Sequence, residues 1–218
     1  GLDNSKEILI IFLDISKAFD RVWHKGLLFK LESIGICDKL LTWFKSYLSD
    51  RKQRVILNNI ASGDRSTNSG VPQGSILGPL LFLIFINDMT DDLQTDPHMY
   101  ADDTSLLEIV NNSLYESVRK INNDLVKLSL WSNRWLVKFN PSKTVFLRVT
   151  HKKRPLPVPP IIFEDIVLRE VTSYSNLGMV FDYKMSWRHH LDNICKKFIC
   201  QLTNIFKFDR KLPRFVLI

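Results

Sequence analysis

Tyr100-Ala101-Asp102-Asp103 places two like charges side by side between short apolar or bulky stretches, His98-Met99 before them and Leu106-Leu107 after them. The pattern reads as two strands folding back on each other at an acidic tip. Tight hairpin tips favour Gly or Asn because their turns need positive φ, and this tip has neither. Turn strain costs roughly 1–3 kcal/mol, and the adjacent carboxylates repel. A divalent cation is the simplest compensation. The competing reading is a solvated Asp-Asp pair on a surface turn.

A second carboxylate bears on that choice. Ile8-Leu9-Ile10-Ile11-Phe12-Leu13 is an unbroken apolar run that ends at Asp14. It is too short for a typical helix and rich in β-branched residues, so it reads as a strand covered on both faces and central in its sheet. A carboxylate at the end of such a strand is held rigidly and costs free energy unless something pairs with it. If the acidic hairpin lies beside this strand, the carboxylates meet at one sheet edge. Oxygen ligands without His or Cys suit Mg²⁺, which keeps waters and takes substrate phosphates as further ligands. Two such ions clamp an in-line phosphoryl displacement. Alternation along a strand sends neighbours to opposite faces, which ranks Asp14 and Asp102 first and Asp103 as auxiliary.

Charge and size agree with a phosphate-rich partner. The 218 residues carry a formal net charge of +7 with 45% hydrophobic residues, enough for a real core and a bias towards nucleic acid. The longest apolar run, Leu80 to Ile86, is too short to span a bilayer, so no membrane partner is expected. Cys37, Cys195 and Cys200 are odd in number and lack zinc-finger spacing, which suggests reduced, mostly buried thiols of an intracellular protein. No signal-peptide pattern opens the chain and no Met begins it, so it reads as a piece of a longer polypeptide.

The remaining segments are legible in order. Gly26 to Ile34 gives a short helix stopped at Gly35, and Asp38 to Leu48 a second one with Leu40, Leu41, Phe44 and Leu48 on one face. Arg51-Lys52-Gln53-Arg54 leads into Val55-Ile56-Leu57, broken by Asn58-Asn59: a basic hairpin. Its Arg51, Lys52 and Arg54 either contact nucleic acid or guard a solvated edge. Gly70 to Ser75 is a punctuated loop, followed by a helix, opened at Gly78-Pro79, that is apolar all round and hence buried. An amphipathic helix runs from about Ser113 to Trp135 to back the sheet. Thr144 to Val149 is a strand, and His151 to Pro160 is a basic, proline-rich connector. A hairpin turns at Glu164-Asp165, Leu177 to Phe181 is a strand, and a helix pattern from Ser186 through Leu191, Ile194, Phe198, Leu202 and Ile205 ends at Pro213.

Three blocks together resemble reverse transcriptases: Leu13-Asp14-Ile15-Ser16-Lys17-Ala18-Phe19-Asp20, then Gly70 through Phe82, then Tyr100-Ala101-Asp102-Asp103. Their order and spacing match motifs A, B and C of that family, and their wording is similar to the non-LTR, LINE-type retrotransposon class, especially its Jockey-like branch. The resemblance implies an α+β polymerase palm, an antiparallel sheet backed by helices, over residues 1–183. A fingers-type insertion falls at about 26–70, and a truncated start of a helical thumb at 184–218. It implies an RNA-directed DNA polymerase in which Asp14, Asp102 and Asp103 bind two Mg²⁺ ions, with Mn²⁺ as a substitute. Backbone N–H groups of Ile15, Ser16, Lys17 and Ala18 would hold a dNTP triphosphate. Phe19 would gate the sugar, Gln73 and Gly74 would touch the nucleotide and template base, and Lys143 would protonate the leaving pyrophosphate or else be a solvated loop lysine. Leu177 and Gly178 would form the primer grip.

The implied partners are an RNA template, a DNA primer, dNTPs, and the fingers and remaining thumb of a parent polyprotein. The implied location is the nucleus or a cytoplasmic ribonucleoprotein. Two departures stand out: Asn176 replaces the Tyr that often precedes Leu-Gly in motif E, with Tyr174 two residues earlier, and most of the fingers would precede residue 1. A group II intron-type enzyme fits less well, because a second Gly and a Ser-Pro do not follow Gly74. A truncated or decayed element that at most binds RNA is the alternative from outside the enzymes.

Overall fold

In the computed structural model, which describes residues 6–111 and 113–209, the apolar run before Asp14 is strand β1 (Glu7–Leu13). Helices α1 (His24–Ser33) and α2 (Asp38–Leu48) follow. Next come four two-residue strands, β2 (Lys52–Gln53), β3 (Ile56–Leu57), β4 (Ile60–Ala61) and β5 (Arg65–Ser66), then helix α3 (Leu77–Ile86). The acidic hairpin is β6 (Asp96–Tyr100) and β7 (Asp103–Val110). Helix α4 (Leu114–Trp135) leads to β8 (Val145–Val149), β9 (Ile162–Phe163), β10 (Ile166–Val167), β11 (Arg169–Val171), β12 (Ser173–Asn176), β13 (Met179–Asp182) and helix α5 (Arg188–Asp209).

The main sheet has the order β11-β8-β1-β7-β6, so β1 is central, as its double-faced apolar pattern requires. It pairs antiparallel with β7 from Glu7–Val110 to Leu13–Thr104, and antiparallel with β8 from Ile8–Val149 to Phe12–Val145. The sheet is not antiparallel throughout. Edge strand β11 lies parallel to β8, a pairing that a crossover through the proline-rich connector makes feasible.

Each face of β1 meets a different layer. Leu9, Ile11 and Leu13 join Leu106, Val118, Ile121, Leu125 and the α3 residues Leu81, Phe82 and Phe85 in the large core. Ile8, Ile10 and Phe12 face Val145, Leu147 and Val149, and the hairpin β12–β13 closes over them through Tyr174 and Phe181. Helix α4 begins where the sequence expects it. Ser113 caps it by accepting from Glu116 N–H, and Leu136 ends it at φ +57°. Lys30 of α1 is buried beneath it. Its ammonium sits 3.8 Å from the Trp135 ring and donates to Phe85 O and Asp88 Oδ1, so one cation ties α1 to the end of α3 and to α4. Burial pulls the Lys30 pKa down, while Asp88 opposes that effect.

Several expectations fail. Helix α3 is not buried all round: Leu80 and Leu83 are 51% and 47% exposed, because the helix packs against α1 and the sheet on one side only. On α2, Phe44 and Leu48 are buried but Leu40 is exposed. Leu177-Gly178 is not in a strand. With φ of +49° and +79°, these residues form the two-residue turn between β12 and β13. All three cysteines are exposed: Cys37 lies at the α1–α2 corner, and Cys195 and Cys200 on α5. The α5 residues Leu191, Ile194 and Phe198 are exposed as well. The Ile205 side chain and Pro213 lie outside the described residues.

Candidate active site

Register decides which carboxylates meet. One step beyond the last β1–β7 pair, Leu13 with Thr104, Asp14 comes opposite Asp103. Directly opposed residues share a face, and this is the face of Phe12 and Ser105, where β12–β13 packs. Asp102 occupies the tip beside them. Ala101 takes φ +52° there, so the turn closes through a left-handed alanine. Asp14 is half-buried, whereas Asp102 and Asp103 are exposed. Among the described residues, none of the three side chains has an ion-pair or hydrogen-bond partner. Burial, followed by the charges of Asp102 and Asp14, pushes the Asp103 pKa up.

The main chain of Asp14 is pinned from the other side. Its carbonyl accepts from Asn140 N–H at 2.8 Å, and its N–H donates to Thr144 Oγ1 at 3.4 Å. Ile15 bridges to Phe139. The loop carrying Lys143 is therefore fastened to the acidic strand end, and Lys143 itself is exposed. Ser16 N–H already donates to Lys138 O at 2.8 Å, so it is not free for a phosphate. Lys17, at φ +51°, is exposed on the turn, while Ile15 and Ala18 are buried.

The glycine-rich loop is fastened to the turn after Asp14. Val71 N–H donates to Phe19 O at 2.9 Å and Gly70 N–H to Val22 O at 2.8 Å. At Gly70, with φ +90°, an added Cβ would lie 2.8 Å from Asp20 O; at Gly78 it would lie 2.3 Å from Pro72 O. Both sites require glycine for close backbone approach. Phe19 stacks on Phe82 with centroids 4.6 Å apart. Gln73 Nε2 donates to Asp20 Oδ1 at 3.0 Å, inside a cleft of about 510 Å³ that Lys17, Thr67 and Gln53 also line. Gly74 lies on the same loop with open space where a Cβ would sit.

The basic hairpin thus lends Gln53 to this cleft. Lys52 and Arg54 are exposed on it, and Arg51 lies 5.7 Å from the Tyr47 ring. Leu177 and Gly178 lie at the tip of the hairpin that covers the acidic face. Three residues escaped the sequence reading of the site. Asp20 sits in the quoted motif, but nothing local marks it as the partner of Gln73. Gln53 lies among the basic residues that drew attention. Tyr174 stacks on Phe12 at 4.1 Å. Burial, then the charges of Asp103 and Asp14, pushes its phenol pKa up.

The donor set suits a hard divalent cation: carboxylates only, with no cationic side chain paired to them among the described residues, and one whose ionised form is already disfavoured. Among the described residues, no three His, Cys, Asp or Glu side chains are gathered tightly enough to hold a metal ion. The edge is therefore acidic but open, and other oxygens would have to complete a coordination shell.

An open acidic sheet end, a glycine-fastened polar cleft beside it and a helical layer behind make up a mixed α+β fold with a sheet backed by helices. The chain belongs to the reverse transcriptase (RNA-dependent DNA polymerase) family, whose model matches residues 2–181. It is 34% identical over 199 residues to the probable RNA-directed DNA polymerase from transposon BS of Drosophila melanogaster, covering 88% of this chain and 22% of that protein. It is 32% identical over 206 residues to the RNA-directed DNA polymerase from mobile element jockey of the same fly, covering 91% and 22%. The Jockey-like resemblance is borne out, and the chain spans about a fifth of the length of these relatives. Apo telomerase from Candida tropicalis, truncated from its C-terminal domain, superposes with a TM-score of 0.56 at 14% identity, over 82% of this chain and 34% of that one. That likeness supports the reverse transcriptase-like fold.

Proposed function

We propose that this chain is the palm of an RNA-directed DNA polymerase of a non-LTR retrotransposon, adding dNTPs to a primer 3′-OH on an RNA template. The observation that carries this reading is the convergence of Asp14, Asp102 and Asp103 at one sheet end, with no ion-pair partner among the described residues. Two Mg²⁺ ions, or Mn²⁺ in their place, would be held by these three residues together with oxygens from substrate and water, and would supply charge for an in-line displacement. Lys17, Gln73 and Gly74 would orient the nucleotide in the neighbouring cleft, with Asp20 fixing the Gln73 amide. Phe19, braced by Phe82, would collide with a 2′-OH and so favour dNTPs. Lys143 would donate a proton to the departing pyrophosphate oxygen. The turn at Leu177-Gly178 would meet the primer strand. Residues 1–183 would form the palm with its fingers-type insertion, 184–218 the start of the thumb, and the protein would work in the nucleus.

Primer extension on an RNA template, with native flanking sequence, tests this. Divalent-dependent dNTP addition should be abolished by Asp102→Asn, and a full-rate variant would remove the assignment. Phe19→Val should raise rNTP use relative to dNTP use, and an unchanged ratio would reject the gate.

A further inference from the structure

The other end of the sheet carries a second charged cleft that the catalytic reading does not use. It measures about 630 Å³ and is lined by Arg148 and Lys152–Lys153 on one wall and by Lys184, Tyr183 and Glu170 on the other. It sits where β1 begins and β8 ends. Seven residues of extended chain separate Glu7 from Asp14, about 23 Å at 3.3 Å per residue.

Arg148 forms the floor and is 5% exposed. It donates to Glu7 Oε2 at 2.7 Å and to Leu156 O, and its buried Nε has no partner. Glu7 also accepts from Thr150 Oγ1 at 3.2 Å and lies 3.3 Å from Lys152 Nζ. The walls are tied together, because Thr150 N–H donates to Tyr183 O and Tyr183 N–H to Thr172 O, both at 3.0 Å. Among the described residues, Lys153 and Lys184 have no acidic partner within ion-pair distance. Lys184 instead lies over the Tyr183 ring at 5.4 Å. Arg148, Lys152, Lys153 and Lys184 thus share the cleft lining with one carboxylate, Glu170, and with His151 as a further titratable group, while buried Glu7 pairs with Arg148.

We infer that this cleft binds the phosphodiester backbone of a polynucleotide, at a site separate from the catalytic end. Two features favour a polymer over a small anion. Lys153 and Lys184 come from separate segments, the connector after β8 and the turn after β13, and the cleft is far larger than one phosphate group. At about 3.4 Å per nucleotide along one strand, the 23 Å offset corresponds to about seven nucleotides, so one strand can meet both sites. The inference rests on the nucleic-acid-binding part of the proposed function and not on its chemistry.

The test is equilibrium binding across a salt series, measured by fluorescence anisotropy on the protein with native flanking sequence. Single-stranded RNA and an RNA–DNA duplex serve as separate ligands, which tells the strand form the cleft takes. Lys153→Glu/Lys184→Glu should weaken binding about tenfold and flatten the slope of log affinity against log salt by about 1–2 for at least one ligand. Both side chains are exposed, and Lys153→Gln/Lys184→Gln provides a milder version. Parental affinity and slope in both variants would overturn the inference. So would an equal loss in the charge-matched control Lys39→Glu/Arg119→Glu, which would trace the effect to net charge. Loss of inorganic phosphate binding in these variants with RNA affinity and slope intact would also overturn it, as a small-anion site. A slope that responds to the cleft in a protein without primer extension would uphold the cleft and sink the polymerase reading.

Discussion

Strand β1 carries a carboxylate at each end, and the fold treats them oppositely. Glu7 is 2% exposed and sits among Arg148, Thr150 and Lys152. Burial alone would raise its pKa, yet Arg148 and Lys152 hold it below the ordinary carboxylate range. Asp14 lies beside Asp103 and Asp102 with no cation among the described side chains, and Asp103 is pushed the other way. One end is electrostatically finished and the other is left wanting positive charge. Under the proposed function, the partnered carboxylate serves the architecture and the unpartnered one is left for chemistry.

That contrast can be broken by substitution. Asp14→Asn should cut primer extension by at least about a thousandfold, roughly 4 kcal/mol of transition-state stabilisation, while the melting temperature holds or rises. A clear loss of stability would mean that Asp14 is structural after all. Glu7→Gln should do the reverse, leaving Arg148 buried beside a neutral partner and costing about 3–5 kcal/mol in denaturant unfolding. Little change would erase the distinction between the ends.

Asp182 supplies a third point of reference. It is buried at the end of β13 and accepts from the N–H groups of Lys184, Ser186 and Trp187 and from Ser186 Oγ. Burial would raise its pKa, but these donors hold it low. Asp182→Ala should cost about 2 kcal/mol and loosen the start of α5, which hydrogen exchange would register.

The smallest effect is the most diagnostic, because its sign differs between the ends. Glu7 has a lowered pKa, so its contribution is present above the unfolded value and fades as pH falls through the folded one. Asp103 has a raised pKa, so its contribution is present below the unfolded value and is lost as pH rises through the folded one. Glu7→Gln should therefore flatten the acid limb of stability against pH. Asp103→Asn should raise the melting temperature at neutral pH by about 1–2 °C and leave acid stability alone. Matching pH profiles for the two variants would refute the electrostatic contrast.

Much of this was legible in the sequence wherever a local pattern fixes the outcome. The apolar run of β1, the bounds of α2, the cap of α4 and the Tyr100–Asp103 tip each announce themselves within a few residues. The meeting of three carboxylates at one sheet end was legible because both of their strands were. Pairings between distant segments were not. Nothing near Arg169 says that β11 will lie parallel to β8, and Asn176-Leu177 reads as extended chain until the Ser173–Asp182 pairing makes Leu177 half of a turn. The facing of Asp103 onto Asp14 depends on register, which a one-residue slip would invert. Apolarity marked α3 as buried all round, yet it cannot say whether a partner surface lies within these residues.

The left-handed alanine at the tip has one more consequence. A glycine would accept the same backbone angle and wander among many others, whereas the methyl group of Ala101 narrows the choice. The two aspartates beyond it are thus presented by a stiff knuckle rather than a hinge. Whatever docks between them and Asp14 finds its seat already arranged, and loses little to the ordering of a floppy loop.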